Sequence, residues 1–208
     1  MGKLVLAAVV VGTVLFFGKC GPSRAQDVAF SGAWVITTEN GISGAKDEET
    51  VSVAADKKMF RTVSRERFGE AVAVYDGGTI YEKYNYTPEH PAEPDADGAA
   101  PPPAAPVRSE KMSEMRTGPR RFWSRSFVGQ SGPGGQIAGR ETMLYQAREK
   151  RPDGEITVQG WVDARTGVVL KSVETIYSSQ VNSMVSKITR ECQTINYGPV
   201  DPSTFAKP

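Results

Sequence analysis

"GWVDARTGVVLKSVETIY", residues 160 to 177, alternates apolar and polar residues on both sides of a tight polar turn. A period of two sends successive side chains to opposite faces of a strand, so two such runs joined by Ala164 to Gly167 make an antiparallel hairpin. The same pattern recurs along the chain. "AFSGAWVITTE" (29–39) sets Phe30, Trp34 and Ile36 against Ala29, Ala33 and Val35. "ETVSVAA", "KKMFRTVSRE" and "EAVAVYDGGTIYEKYNY" follow, the last turning at Asp76-Gly77-Gly78. In the second half, "ETMLYQARE", "EITVQGWVD", "VVLKSVETIY" and "MVSKITRECQTINYG" read as long strands with short turns. No helical period of useful length interrupts either region. An antiparallel meander follows from the turn chemistry and the patterning.

Between the two regions the composition changes. "TPEHPAEPDADGAAPPPAAP", residues 87 to 106, holds seven of the fourteen prolines and almost no large apolar residue. Proline cannot donate to a strand ladder, and a segment without apolar bulk has nothing to bury. Residues 87–107 are therefore expected to be an exposed insert of polyproline character within a single domain spanning 26–208. Next, "SEKMSEM" (109–115) offers two helical turns with Met112 and Met115 on one face, stopped by Gly118-Pro119. The glycine-rich "GQSGPGGQIAGR" (129–140) is expected to be a flexible loop.

The chain begins "MGKLVLAAVVVGTVLFFGKCGPSRAQ". Lys3 precedes an unbroken apolar run from Leu4 to Phe17, Gly21-Pro22 ends any helix, and Ser23 and Ala25 are small residues at the −3 and −1 positions of a cleavage site. Residues 1–25 read as a secretory signal peptide, which places the protein in the periplasm or outside the cell. A permanent anchor is the competing reading, but a helix over Leu4 to Gly18 spans only ~22 Å against a hydrocarbon core of ~30 Å. A lipid-modified Cys20 is disfavoured by Lys19, where a small uncharged residue is required. Loss of Lys3, Lys19 and Arg24 takes the formal charge from +1 to about −2, so no global field points to nucleic acid as a partner.

Chemistry is sparse. The one histidine, His90, lies between Pro88 and Pro91 in the insert, where no rigid second shell would hold it. With one His and two Cys the chain has no zinc-ligand spacing. Cys192 reads as a small buried hydrophobe on a strand. Gly134 to Gly139 has the outer spacing of a phosphate loop, but Arg140-Glu141 stands where Lys-Ser/Thr is needed. Glu48-Glu49, Asp95 and Asp97 fall in polar turns or the insert, with no sign of the shaped pocket that acid catalysis requires. "RTGPRRFWSRSF" interleaves four arginines with Phe122 and Trp123. In an exported protein it suits a membrane surface or an acidic partner, or else a solvated basic face. The expectation is a protein that is not an enzyme and uses no metal or cofactor.

Two stretches resemble a known family. "VAVYDGGTIYEKYNYTPE" is similar to a hairpin of the periplasmic outer-membrane lipoprotein carrier (LolA-like) superfamily at Tyr75-Asp76-Gly77. The second half resembles that superfamily at Trp161-Val162-Asp163, Thr166-Gly167 and Asp201 to Pro208. The resemblance covers most of 30–86 and 141–208. It implies an α+β, mostly antiparallel β fold: a curved sheet or half-open barrel with a helical or loop lid. It also implies an apolar cavity that binds a lipid or an acylated lipoprotein, as a carrier or a sensor. The other reading is an envelope protein that uses the same sheet as a docking platform for a protein partner, without lipid transport.

With Trp34 and Ile36 taken as inward, alternation adds Val51, Val53, Phe60, Val72, Val74, Ile80 and Tyr84 to the ligand-binding face. The second half contributes Ile156, Val158, Val162, Leu170 and Ile176. A sheet so apolar on one side requires a cover. The segment from Met112 to Phe127 is the available one, with Met112, Met115, Phe122 and Trp123 seated on the sheet, and transient contact with a membrane surface is compatible with its arginines.

N-terminal sequencing of the exported protein is expected to begin at Gln26. An intact N-terminus in the membrane fraction would establish the anchor instead, and a diacylated Cys20 the lipoprotein.

Overall fold

The computed structural model describes the backbone of residues 28–57, 59–66, 69–86, 108–111 and 130–208. The expectations for the signal peptide, the proline-rich insert and the lid residues Met112, Met115, Phe122 and Trp123 lie outside the described residues. Among the described residues there are eleven strands: β1 Phe30–Asn40, β2 Lys46–Asp56, β3 Met59–Glu66, β4 Gly69–Tyr75, β5 Thr79–Tyr86, β6 Arg108–Lys111, β7 Gln130–Ile137, β8 Arg140–Arg151, β9 Gly154–Asp163, β10 Val169–Ser178 and β11 Ser183–Tyr197. A 3-10 turn, Pro202–Phe205, follows.

All eleven strands form one antiparallel sheet in the order β6-β5-β4-β3-β2-β1-β11-β10-β9-β8-β7. Every ladder but one joins strands that are adjacent in sequence. β1 pairs with β11 at the centre, from Phe30↔Tyr197 to Asn40↔Ser186, and so joins two meanders. Among the described residues β6 and β7 are the free edges, so the sheet is open rather than a closed barrel. It is also curved. Arg140, which opens β8, reaches across the sheet and holds its guanidinium 4.8 Å from the ring centroid of Tyr197 on β11, three strands away. Register shifts at Ala33/Trp34, Val169/Lys171 and Ile176/Tyr177 supply the bends, as bulges do.

Directly paired residues share a face, which defines an inner and an outer side. Phe30, Ala55, Phe60, Tyr75 and Ile80 form one continuous row across β1 to β5. With Trp34, Val51, Val53, Val168, Leu170, Cys192 and Ile195 they make the main core, against which Ile36, Ile137 and Tyr197 pack. Phe30 meets Trp34 and Tyr197 edge-on, with ring centroids 6.0 and 6.5 Å apart. Gly32 is required here, because a Cβ would meet the Thr194 carbonyl oxygen and lie 2.9 Å from the Trp34 ring. The outer side carries a smaller core of Ala54, Val72, Val74 and Phe205, the last brought over the sheet by the C-terminal 3-10 turn.

Two expectations about irregular segments are corrected. Residues 108–111 of the candidate helix "SEKMSEM" and its preceding Arg are strand β6, paired with β5 from Thr79↔Lys111 to Glu82↔Arg108. The glycine-rich stretch expected to be a flexible loop is edge strand β7, paired with β8. An edge position tolerates Pro133, which has no N–H to donate. Gly132 and Gly135, at φ 141° and 78°, sit at its register shifts. The Trp161 ring covers Gly134, where a Cβ would stand 2.8 Å from Cδ1.

Phe205→Ala is expected to lower stability by about 3 kcal/mol, the scale of deleting a buried aromatic ring. Chemical denaturation measures this. A change under about 0.5 kcal/mol, the surface-substitution scale, would mean that the C-terminal turn does not seal the outer core.

Candidate functional site

The inner face is filled unevenly. At the Phe30 end it is closed: Phe30, Trp34, Phe60, Tyr75, Val168 and Leu170 are each 2% exposed or less. Toward the other end of β1 the apolar residues Ile36, Ile188, Val158 and Ile176 are only partly buried. Register puts these four on one surface. Ile36 stands opposite Arg190, Thr38 opposite Ile188, Ile188 opposite Glu174, and Glu174 opposite Val158. Ile176 pairs with Ile156 one row further on.

Most of the residues expected inward are on this side. Trp34, Ile36, Phe60, Ile80 and Tyr84 share it through the β1–β5 ladders, as do Val51 and Val53. Ile156, Val158, Leu170 and Ile176 continue it, and Val162 follows Val158 and Gly160 in alternation. Phe60, Ile80, Val162 and Leu170 are buried, whereas Tyr84 is partly exposed.

Val72 and Val74 are corrections. β4 pairs with β3 through Phe60↔Tyr75 and Val63↔Val72, so Tyr75 and Ala73 face inward and the two valines face outward, against Phe205. The strand reads Ala-Val-Ala-Val-Tyr because both of its faces are buried, and such a run does not reveal its own facing.

Sequence reading missed the polar group at the centre of the half-filled region. Arg190 projects inward between Ile188 and Cys192 and is 9% exposed. Its Nη1 stands 3.8 Å from Glu174 Oε2, and its Nε has no hydrogen-bond partner. Burial pulls the guanidinium below its usual pKa, while the charges of Glu174 and then Glu49 pull it back. Glu49 itself accepts a 2.6 Å hydrogen bond from Ser64 Oγ. On β11 the inward series Ile188-Arg190-Cys192 breaks its apolar pattern at one position, and that break was the available signal. Further along the face, Glu149 pairs with Arg151 at 3.0 Å through Oε1, and its buried Oε2 has no partner.

The acidic residues of the recognised motifs are turn caps. Asp76 Oδ1 accepts from the Gly78 and Thr79 N–H groups at 3.1 and 2.9 Å, and the Thr79 bond leads in holding its carboxyl below the usual range. Asp201 accepts from Ser203 N at 2.9 Å and caps the final 3-10 turn. Asp163 is 3% exposed. Its Oδ1 accepts from the Arg165 and Thr166 N–H groups, and its Oδ2 accepts the Tyr197 hydroxyl proton at 2.8 Å. Tyr197 in turn accepts from Thr166 Oγ1 at 2.9 Å. The Trp-Val-Asp…Thr-Gly hairpin is thereby tied to β11. Cys192 is buried and donates to the Thr194 carbonyl at 3.2 Å.

No family model matches the chain, and no curated protein matches it. It is similar to the solved structure of a LolA superfamily protein from Nitrosomonas europaea, with TM-score 0.38 and 12% identity, covering 88% of this chain and 94% of that one. It is also similar to an outer membrane lipoprotein-sorting protein domain from Vibrio parahaemolyticus, with TM-score 0.34 and 8% identity over 88% and 93%. A third similar structure is PNGF-II, with TM-score 0.40 and 13% identity over 84% of this chain, which spans 29% of the length of PNGF-II. At such identities these likenesses carry no residue roles, and function is read from the chain's own side chains.

Burial pushes the Cys192 thiol up to about 12 and raises the Tyr197 phenol as well. Both groups therefore hold their protons more tightly in the folded state, and stability is expected to fall as pH rises above about 9. Tyr197→Phe should remove part of that alkaline slope and lower neutral-pH stability by about 1–2 kcal/mol, since Asp163 and Thr166 each lose a partner. Urea titrations at pH 7 and pH 10 check both effects. A variant as stable as the parent at pH 7 would contradict the tie.

Proposed function

We propose that this chain is an exported, non-enzymatic protein of the periplasm that holds the acyl part of a lipid or of an acylated lipoprotein on its inner face, as a carrier or sensor. The observation that carries this reading is the unequal filling of that face. A globular core has reason to close completely, since every partly exposed Ile or Val forgoes burial worth ~25 cal/mol per Å². Here the Phe30 end is closed, and Ile36, Ile188, Val158 and Ile176 are left half-buried on the same face, with Glu174 between Ile188 and Val158. A surface of that kind suits a flexible hydrocarbon chain, which needs shape and apolarity and no reactive group.

An export signal at residues 1–25 fits the same reading, and no helix among the described residues is long and apolar enough to cross a membrane.

A separate observation favours the docking-platform alternative. The β1–β2 turn lies beside the start of β11, where the Gly41 N–H donates to the Val185 carbonyl, and the β1–β2 and β10–β11 turns expose Ile42 by 71% and Val181 by 53%. Such a rim suits a protein partner without lipid.

Native mass spectrometry of the gently purified mature protein separates the two. Acyl lipid is expected to co-purify with it. Val158→Lys, which places a charge on the inner face where Glu174 can pair with it, should cut retained lipid at least tenfold while the protein stays folded. Lipid retention that ignores Val158→Lys and is lost on Ile42→Ser/Val181→Ser would move the site to the rim.

A further inference from the structure

Ile42, Tyr177 and Val181 are the large apolar side chains that stand exposed among the described residues, and all three lie at one end of the sheet. Ile42 is on the β1–β2 turn and Val181 on the β10–β11 turn, with Tyr177 at the close of β10. Both turns follow the end of the central ladder at which Asn40 stands opposite Ser186. Single exposed apolar residues scattered over a surface need no explanation, but a group gathered on one rim marks a contact.

The β1–β2 turn closes its own donors. All six N–H groups from Asn40 to Ala45 have acceptors. Asn40 donates to the Ala45 carbonyl, Gly44 to the Asn40 carbonyl and Gly41 to the Val185 carbonyl. Asn40 Oδ1 accepts from Ile42 and Ser43 at 3.0 Å each, and Ser43 Oγ accepts from Ala45. A turn in water does not need this, because water accepts from any free N–H. In hydrocarbon an open donor is heavily penalised.

Neither turn carries a charge: the chain is neutral from Asn40 to Ala45 and from Thr175 to Ser186. At its flank Glu39 pairs with Lys46 at 3.4 Å. Tyr177 is the amphipathic member of the group, its ring exposed and its hydroxyl donating to Asn182 Oδ1 at 2.9 Å. Such rings sit at the level of lipid headgroups.

We infer that this rim inserts shallowly into the surface of a neutral lipid bilayer, with Ile42 and Val181 at the acyl boundary and Tyr177 among the headgroups. Exposure alone also suits a protein. A specific protein interface takes ~800 Å² from each partner, however, and three side chains on two turns offer a small part of that. A bilayer asks for apolarity and satisfied donors without a matched shape. The rim is independent of the inner face: it takes an assembled lipid surface and leaves a single acyl chain to the half-filled end.

Flotation of the mature exported protein with phosphatidylcholine vesicles tests this. The parent is expected to float with them, equally at low and high salt, since the rim has no net charge to screen. Ile42→Asp/Val181→Asp should cut binding at least tenfold and leave the thermal transition unchanged, as both positions are exposed. Asn40→Ala keeps every apolar side chain but opens the donors of Ile42 and Ser43, and should weaken binding about tenfold. Binding that survives either variant, or a parent that does not float, overturns the site. A parent that floats only with vesicles containing phosphatidylglycerol, and is released by salt, overturns it as well and assigns the membrane contact to Arg116, Arg120, Arg121 and Arg125.

Discussion

The pairing of β1 with β11 is the constraint on which the rest of the structure depends. It joins residues at the two ends of the described chain, and every other ladder is between strands adjacent in sequence. Without it the molecule is two separate meanders with exposed edges, which are open to pairing with other chains. Closing so long a loop costs entropy that grows only slowly with length, and the seam offsets it with dense apolar packing. Phe30, Trp34, Cys192 and Ile195 come together there, and Tyr197 carries the seam outward to the β9–β10 turn through Asp163 and Thr166. The bulge at Ala33/Trp34 lies in the same ladder, so the device that joins the halves also helps to bend them.

Packing is divided unevenly along the strands. The Phe30 end holds the large aromatic residues and is closed. The Ile36 end holds aliphatic residues that are half-buried, together with a buried guanidinium that lacks acceptors. On the proposed acyl-binding reading, the Ile36 end has to be apolar without being filled, and a sheet can provide this only if its folding energy comes from elsewhere. Here it comes from the other end of the same face and from the outer core around Val72, Val74 and Phe205.

Strand identity was legible because the physics that forms these strands is local. The alternation in "AFSGAWVITTE" and "VVLKSVETIY" and the Asp-capped turns at Asp76 and Asp163 locate elements within a residue or two. The facing of Trp34, Ile36 and Phe60 followed from the same alternation. Three features were not legible, each for its own reason. β4 is buried on both sides, so Val72 and Val74 could not declare a face. β7 is a strand because β8 and Trp161 support it, against the local preference of its glycines and Pro133. Arg190 required knowing that β11 pairs with both β1 and β10, since only then does one charged residue in "SKITRECQ" fall in the middle of an apolar surface.

The central claim is that the half-filled end of the inner face is where the molecule binds. Methyl-resolved NMR of the isoleucine and valine side chains during titration with an acyl ester tests it most directly. The account predicts shift changes at Ile36, Val158, Ile176 and Ile188, with Val72 and Val74 on the outer core unmoved. Changes concentrated at Val72 and Val74, or at Ile42 and Val181 on the rim, would contradict it.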